Sequence, residues 1–113
     1  MNPNNEQFPP IPDLPLFVCE ADDPQSGLEG WLTVHTTGER GSCGGIRLYP
    51  DVTKEETIIL ARAMTYKYSL CGYSLGGAKG AVRIPFDIDD AERKMLLESF
   101  GRHIGPLIRS RIY

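Results

Sequence analysis

Two lysines are the residues of this sequence best placed to do chemistry. The first, Lys67, falls among positions that three- and four-residue spacing puts on one face of a predicted helix. The other members of that face suit burial: Leu60, Ala63, Met64, Leu70 and Cys71. A lysine there either extends its stem along the core edge near the helix C-terminus, or occupies a cleft where it holds a carboxylate. The sequence alone leaves both interpretations open.

The second lysine, Lys79, lies in the glycine-rich stretch 75–80, LGGAKG. The spacing is not that of a Walker phosphate-binding loop. Three glycines around one lysine predict a tight, open turn with room for a small ligand against the main chain. A lysine half desolvated near another cation has its ammonium form disfavoured, and can serve as an acid or base. A glycine-rich hairpin with an exposed lysine is the alternative.

Composition limits the classes of protein to which the chain can belong. Its 113 residues, 41% of them hydrophobic, suffice for one domain with one modest core. No apolar run approaches the ~18 residues of a membrane span, and the N-terminus lacks a secretory-signal pattern. The pI near 5.3 and the lack of a basic cluster argue against nucleic acid. We therefore expect a cytoplasmic domain with neither a membrane nor a nucleic-acid partner.

Cysteine and glycine patterns argue against three common kinds of site. The chain has three cysteines, Cys19, Cys43 and Cys71. They form no C-x-x-C pair and match no zinc-site spacing, so we expect no metal site. Their odd number favours a reduced compartment over a disulfide framework. No G-x-G-x-x-G is present, so we expect no dinucleotide cofactor to be bound by this chain.

The predicted order of elements is β-β-β-α-β-α, after a proline-rich arm over residues 1–15 that is either disordered or lies across a neighbouring surface. Strands are predicted at 16–19, 28–36, 46–49 and 81–84. Capping signals place one helix from Thr53, with Glu56, to about Leu70 and Gly72, and a second from Asp89 to Gly105-Pro106. This order predicts an α/β fold over residues 16–113, with two helices packed on a mixed sheet of about four strands.

Four motifs in this order resemble those of the glutamate/leucine/phenylalanine/valine dehydrogenase family. They are CGGIRLYPDVT at 43–53, MTYK at 64–67, LGGAKG at 75–80 and IGP at 104–106. The twelve-residue step from Lys67 to Lys79 is also similar to that of the family. The resemblance covers about residues 28–113 and identifies the N-terminal, substrate-binding and oligomerisation domain.

The resemblance implies a role for each motif residue. Lys67 corresponds to the lysine that pairs with the substrate α-carboxylate, and Lys79 to the catalytic acid–base lysine. Gly76 and Gly77 correspond to residues that line the substrate α-carbon. The full enzymes oxidatively deaminate an L-amino acid to a 2-oxo acid and pass hydride to NAD or NADP. On this basis we expect the two amines to share one small pocket that binds an amino acid or a 2-oxo acid.

Three departures from the family limit what the chain is expected to do. Cys43 stands where glutamate-specific members carry a lysine that pairs with the side-chain carboxylate, so glutamate is a doubtful substrate. The family's catalytic aspartate and its nucleotide-binding domain both lie beyond Tyr113. We therefore expect no hydride transfer by this polypeptide alone.

Three functions remain open at this point: part of an amino-acid dehydrogenase, a free-standing module that binds an amino or carboxylic acid, and an oligomerisation module. Because an oligomerisation module needs neither lysine, the presence of both favours part of a dehydrogenase over an oligomerisation module. On each of them we expect a homo-oligomer, a dimer or larger.

Overall fold

The computed structural model describes residues 10–113, which form a five-stranded mixed sheet with one helix on each face. The strands are β1 (Phe17–Asp23), β2 (Leu28–Val34), β3 (Ser42–Cys43), β4 (Ile46–Tyr49) and β5 (Gly76–Arg83). The helices are α1 (Lys54–Cys71) and α2 (Asp90–Arg109). The predicted α/β class and order of elements are confirmed, and the two-residue β3 is an addition between the strands predicted at 28–36 and 46–49.

The last strand, β5, is central to the sheet. On one side it pairs antiparallel with β2, which in turn pairs antiparallel with β1. On the other side it pairs in parallel, first with β3 and then with β4. Since β4 and β5 run in parallel, the chain must cross from one end of the sheet to the other between them, and α1 makes that crossing.

Side chains of β2 alternate between the two helices, as the sequence pattern predicts. Leu32 belongs to the apolar cluster that includes residues of α2. On the opposite face, Thr33 Oγ1 lies 2.8 Å from Thr57 Oγ1 of α1, and His35 Nδ1, just beyond the strand, lies 2.7 Å from Thr65 Oγ1. The sheet therefore has an apolar α2 side and a more polar α1 side.

The hydrophobic core lies between the sheet and α2. Its buried members are Ala21, Leu28, Leu32, Val82, Ile84, Leu96, Phe100 and Ile104. On the other face, α1 buries only small residues: Thr57, Ala61 and Thr65. Small side chains let the α1 backbone approach the sheet closely, which matters for the candidate site.

Hydrogen bonds at the helix ends confirm the predicted caps. Thr53 Oγ1 accepts from the Glu56 N–H at 3.2 Å, and Asp89 Oδ1 accepts from the Glu92 N–H at 2.8 Å. Gly72 ends α1 with φ of 74°, a left-handed conformation that glycine adopts without strain.

The prediction that the stretch 75–80 forms a turn was wrong. The strand begins at Gly76, five residues before its predicted start. The glycines permit close packing within the sheet instead of a bend: a Cβ on Gly76 would overlap the Thr36 carbonyl, and one on Gly77 would overlap the backbone of Ala61.

The prediction that Gly105-Pro106 ends the second helix was also wrong, because α2 continues to Arg109. Proline removes one N–H from the helical ladder, but Ile104 and Leu107 on either side pack against the core. Tertiary packing of these side chains outweighs the local signal, and the helix ends one turn later.

The described part of the predicted arm lies on its own chain. The Pro12 carbonyl accepts from His35 Nε2 at 2.8 Å, and Arg62 contacts Asp13 Oδ1 at 2.8 Å. Residues 1–9 of the predicted arm lie outside the described residues. Within residues 10–113 neither helix is both long and apolar enough to cross a membrane.

Candidate functional site

Three of the predicted site residues lie together on the face of the sheet that α1 covers. The parallel register places Cys43 of β3 directly beside Gly77 of β5. Lys79 follows two residues later, so its side chain emerges on the same face. The side chain crosses the segment that follows β3, because its Nζ lies 3.7 Å from where a Cβ on Gly45 would be. The thiol of Cys43 is therefore a neighbour of the strand that carries the Lys79 amine.

Gly76 and Gly77, predicted to line a ligand, are both buried. Successive residues of a strand face opposite sides, so only Gly77 shares the face of Lys79. Its N–H donates to Thr65 Oγ1 of α1 at 3.1 Å. Close packing against the helix is thus a structural reason for glycine here, and the predicted contact with a ligand remains a prediction.

Lys67 lies on the outer side of α1, where it is exposed. The predicted buried face of this helix was wrong: Thr57, Ala61 and Thr65 face the sheet, whereas Leu70 is 85% exposed. The cause is the short distance between α1 and the glycines of β5, which leaves space only for small side chains. A pocket shared by the two amines remains a prediction.

Two tyrosines that the sequence interpretation missed surround Cys43. Burial, and after it the neighbouring Cys43 thiol, raises the pKa of Tyr68 to about 12. Burial also raises the pKa of Tyr113, whose hydroxyl donates to the Gly44 carbonyl at 2.7 Å. At neutral pH both phenols are therefore uncharged. Tyr68 follows Lys67 directly, but no sequence signal links Tyr113 to a residue 69 positions earlier.

Two concave surfaces within residues 10–113 are lined by neither Lys67 nor Lys79. Cavities of about 290 and 260 Å³ lie beneath the arm, and Pro12, Thr36 and Thr37 line both of them. Within residues 10–113 no group of three or more His, Cys, Asp or Glu side chains is placed to hold a metal ion. Since Cys43, Gly45 and Lys67 are exposed and Lys79 is half-buried, the candidate site is open to solvent.

Most of the chain is similar to proteins of known activity. A family model described as Glu/Leu/Phe/Val dehydrogenase, dimerisation domain, matches residues 16–112. The NADP(+)-dependent glutamate dehydrogenase of Pyrobaculum calidifontis is 40% identical over 86 residues, 75% of this chain and 20% of that enzyme. The valine dehydrogenase of Streptomyces virginiae is 35% identical over 96 residues, 81% of this chain and 26% of that enzyme. The chain thus spans about a fifth to a quarter of the length of these relatives.

Solved structures of two amino-acid dehydrogenases contain a domain with a fold similar to that of this chain. The hetero-hexameric glutamate dehydrogenase of Thermus thermophilus, in its leucine-bound form, matches with a TM-score of 0.70 and 25% identity over 82% of this chain and 24% of its own. The L-tryptophan dehydrogenase of Nostoc punctiforme matches with a TM-score of 0.73 and 21% identity over 84% of this chain and 29% of its own, a similarity of fold alone.

Proposed function

Since the chain belongs to the Glu/Leu/Phe/Val dehydrogenase family, we propose that residues 16–113 are the substrate-binding and oligomerisation domain of an amino-acid dehydrogenase, preceded by an arm over residues 1–15. The reaction proposed for the whole enzyme is oxidative deamination of an L-amino acid to a 2-oxo acid with NAD or NADP. The ligand proposed for this chain is the amino acid or the 2-oxo acid.

The observation that best supports this proposal is the adjacency of Cys43, Gly77 and Lys79 on the α1 side of the sheet. We assign Lys79 the acid–base role, in which its Nζ exchanges a proton with the substrate nitrogen or with a water. Lys79 is half-buried, and its Nζ lies beside Gly45 in the segment that follows β3. A positioned acid or base of this kind contributes about 10²–10⁴-fold to a rate.

We assign Lys67 the role of pairing with the ligand carboxylate. The side chain is exposed, and an exposed ion pair contributes only about 0–1 kcal/mol. Binding to this chain alone should therefore be weak, with a Kd on the order of 1 mM.

Cys43 supports a neutral ligand side chain. The thiol and the uncharged Tyr68 hydroxyl beside it offer no positive charge to a second carboxylate. Glutamate-specific binding would need a cation here, so the proposed ligands are amino acids with uncharged side chains and the corresponding 2-oxo acids.

The residues of this chain do not fit a dinucleotide. The helix N-terminus after β4 is preceded by Pro50, Asp51 and Val52 and not by a glycine-rich turn, and no G-x-G-x-x-G occurs elsewhere in the sequence. We propose that this chain binds and orients the amino acid and moves a proton, while hydride transfer needs residues outside it.

Replacement of the carboxylate-binding lysine tests the proposal. Titration of the ¹⁵N-labelled chain with 2-oxoisocaproate should shift amide signals near β3 and β5, and Lys67→Ala should raise the Kd measured from those shifts up to about fivefold. Lys94→Ala is the matched control, because Lys94 is also an exposed helical lysine, on α2, 3.8 Å from Glu98. Binding that survives Lys67→Ala unchanged would falsify the carboxylate role.

We also propose that the chain forms a homo-oligomer. The family model that it matches is named a dimerisation domain. Within the described residues β1 pairs only with β2, which leaves its outer edge free to pair with another strand. Leu14 and Leu16, just before this strand, are 78% and 60% exposed and would add apolar area to such a contact.

A further inference from the structure

A side-chain hydrogen bond joins α1 to β5 beside the two candidate lysines. The Gly77 N–H donates to Thr65 Oγ1 at 3.1 Å and shares its hydrogen with Thr36 Oγ1 at 3.2 Å. Thr65 precedes Lys67 by two residues, and Gly77 precedes Lys79 by two residues. The bond therefore connects the helical turn that carries one amine to the strand position that carries the other.

The Thr65 hydroxyl is held in one orientation by His35, which is fully buried. His35 Nε2 lies 2.8 Å from the Pro12 carbonyl, which can only accept, so Nε2 carries the hydrogen. In the neutral ring Nδ1 is then an acceptor, so Thr65 Oγ1 donates to it at 2.7 Å in preference to the Ala61 carbonyl, which lies farther away at 3.4 Å. The lone pairs of the threonine oxygen are thereby left for the Gly77 N–H and for the Thr36 hydroxyl at 2.9 Å.

The backbones of α1 and β5 are in direct contact at this bond. A Cβ on Gly77 would overlap the Thr65 nitrogen and the Ala61 carbonyl. Because a strand and a helix this close cannot slide without breaking the bond or colliding, the contact fixes the offset of one element along the other.

A second buried threonine of the same helix face bonds to β2 and not to β5. Thr57 Oγ1 lies 2.8 Å from Thr33 Oγ1 of β2 and donates to the Lys54 carbonyl at 2.6 Å. Thr57 is 1% exposed and Thr65 is 7% exposed, so the two differ in their partners much more than in their burial.

We propose that Thr65 is a positioning residue, which fixes the separation of the Lys67 and Lys79 amines by holding α1 against Gly77, with His35 orienting its hydroxyl. The proposal rests on the proposed function, since the separation matters only if both amines serve one ligand. Thr65 itself is buried between α1 and the sheet, and it acts through the two lysines.

Crosslinking of the two amines tests this role without a ligand. The full chain is treated with a short homobifunctional succinimidyl ester, and the yield of the Lys67–Lys79 crosslink within one polypeptide is measured by mass spectrometry. Mixing ¹⁴N- and ¹⁵N-labelled chains separates crosslinks within a polypeptide from those between two. Thr65→Val should lower the yield, because it removes the hydroxyl whose bond to the Gly77 N–H fixes the offset of α1 along β5.

Two further variants separate positioning from general stability. Thr57→Val removes an equally buried hydroxyl and should leave the crosslink yield unchanged. Thr65→Ser keeps the hydroxyl and should restore the wild-type yield, even if it lowers the melting temperature.

The outcomes distinguish the two proposals. If the unaltered chain gives no Lys67–Lys79 crosslink, the shared site fails and the role of Thr65 fails with it. If the unaltered chain gives the crosslink and Thr65→Val leaves its yield unchanged, or lowers it no more than Thr57→Val does, only the positioning role is overturned. The positioning role is also overturned if Thr65→Ser lowers the yield as much as Thr65→Val does, because the hydroxyl is then not what fixes the separation of the amines.

Discussion

At the scale of single residues, Cys43 has the neighbours that would decide which ligand side chain fits. It lies beside Gly77 in the sheet, and its thiol adjoins the Tyr68 hydroxyl. Tyr113 fixes the next residue by donating to the Gly44 carbonyl. A thiol near two uncharged phenols offers no positive charge with which a carboxylate on the ligand side chain could pair.

Introduction of a charge at this position should change the preferred ligand. We predict that Cys43→Lys increases the affinity for 2-oxoglutarate up to about fivefold, since an exposed ion pair contributes at most about 1 kcal/mol. The affinity for 2-oxoisocaproate should fall or stay the same. Competition between the two acids, followed by NMR, measures the ratio.

Cys71→Lys is the control for this substitution, because Cys71 is likewise exposed but lies at the end of α1. An equal gain in 2-oxoglutarate affinity in both variants would mean that added positive charge acts non-specifically, and that position 43 does not contact the ligand side chain.

At the scale of elements, contacts between distant segments hold the helices on the sheet. On the α2 side, Asp23 at the end of β1 accepts from Ser26 Oγ at 2.9 Å and from Ser99 Oγ of α2 at 3.0 Å. On the α1 side, Arg83 at the end of β5 donates to the Val52 carbonyl at 2.9 Å. The first contacts tie α2 to the end of β1, and the last ties the segment just before α1 to the end of β5.

The link through Asp23 should make stability depend on pH. The hydroxyl of Ser26, followed by the Gln25 N–H and the Ser99 hydroxyl, holds the pKa of Asp23 below its ordinary value. A carboxyl with a lowered pKa in the folded state stabilises that state above its unfolded pKa of about 4. That contribution is lost as the pH falls through the lower, folded pKa.

Asp23→Asn tests this dependence. We predict that it lowers the urea midpoint at pH 7, and that the difference from the unaltered chain shrinks as the pH falls below about 4. Asp22→Asn replaces the neighbouring exposed carboxylate and should show a smaller effect at every pH. A difference for Asp23→Asn that is constant from pH 7 to pH 3 would contradict the role of the charge.

At the scale of the whole molecule, the distribution of charge and the outer edge of β1 favour self-association. Residues 1–60 carry three basic and ten acidic side chains, a net charge of −7, and residues 61–113 carry nine basic and five acidic, a net charge of +4. Some of these charges pair within the chain, as Arg62 does with Asp13 and Arg83 with Glu29, and those that remain exposed can complement each other between copies. Within residues 10–113 the outer edge of β1 has no strand partner, and with the exposed Leu14 and Leu16 it offers a place for the contact.

We therefore predict a dimer or larger assembly at ~100 μM chain, with closed two-fold symmetry as the commonest form. Light scattering should give at least twice the chain mass of 12.6 kDa. A monomer under these conditions would contradict the prediction. A dimer that dissociates as salt is raised would show that the complementary charges contribute to the contact.

The sequence by itself determined the features that depend on near neighbours. Thr53, Gly72 and Asp89 cap the helices as predicted, because a cap is a hydrogen bond or a backbone conformation within a few residues. The order of elements and the alternation along β2 follow from periodicities that are equally local. The family resemblance also needed only the ordered motifs, which the matched family model confirms.

The tertiary structure alone decided how distant residues meet. A glycine-rich sequence is compatible with a turn and with a central strand. Only the close approach of α1 and of Thr36 explains why Gly76 and Gly77 lie in β5. The same approach leaves space for Thr65 and turns Lys67 outward. Tyr113 reaches Gly44 across 69 positions of sequence. Such contacts depend on how closely whole elements pack, and no local pattern in the chain encodes that distance.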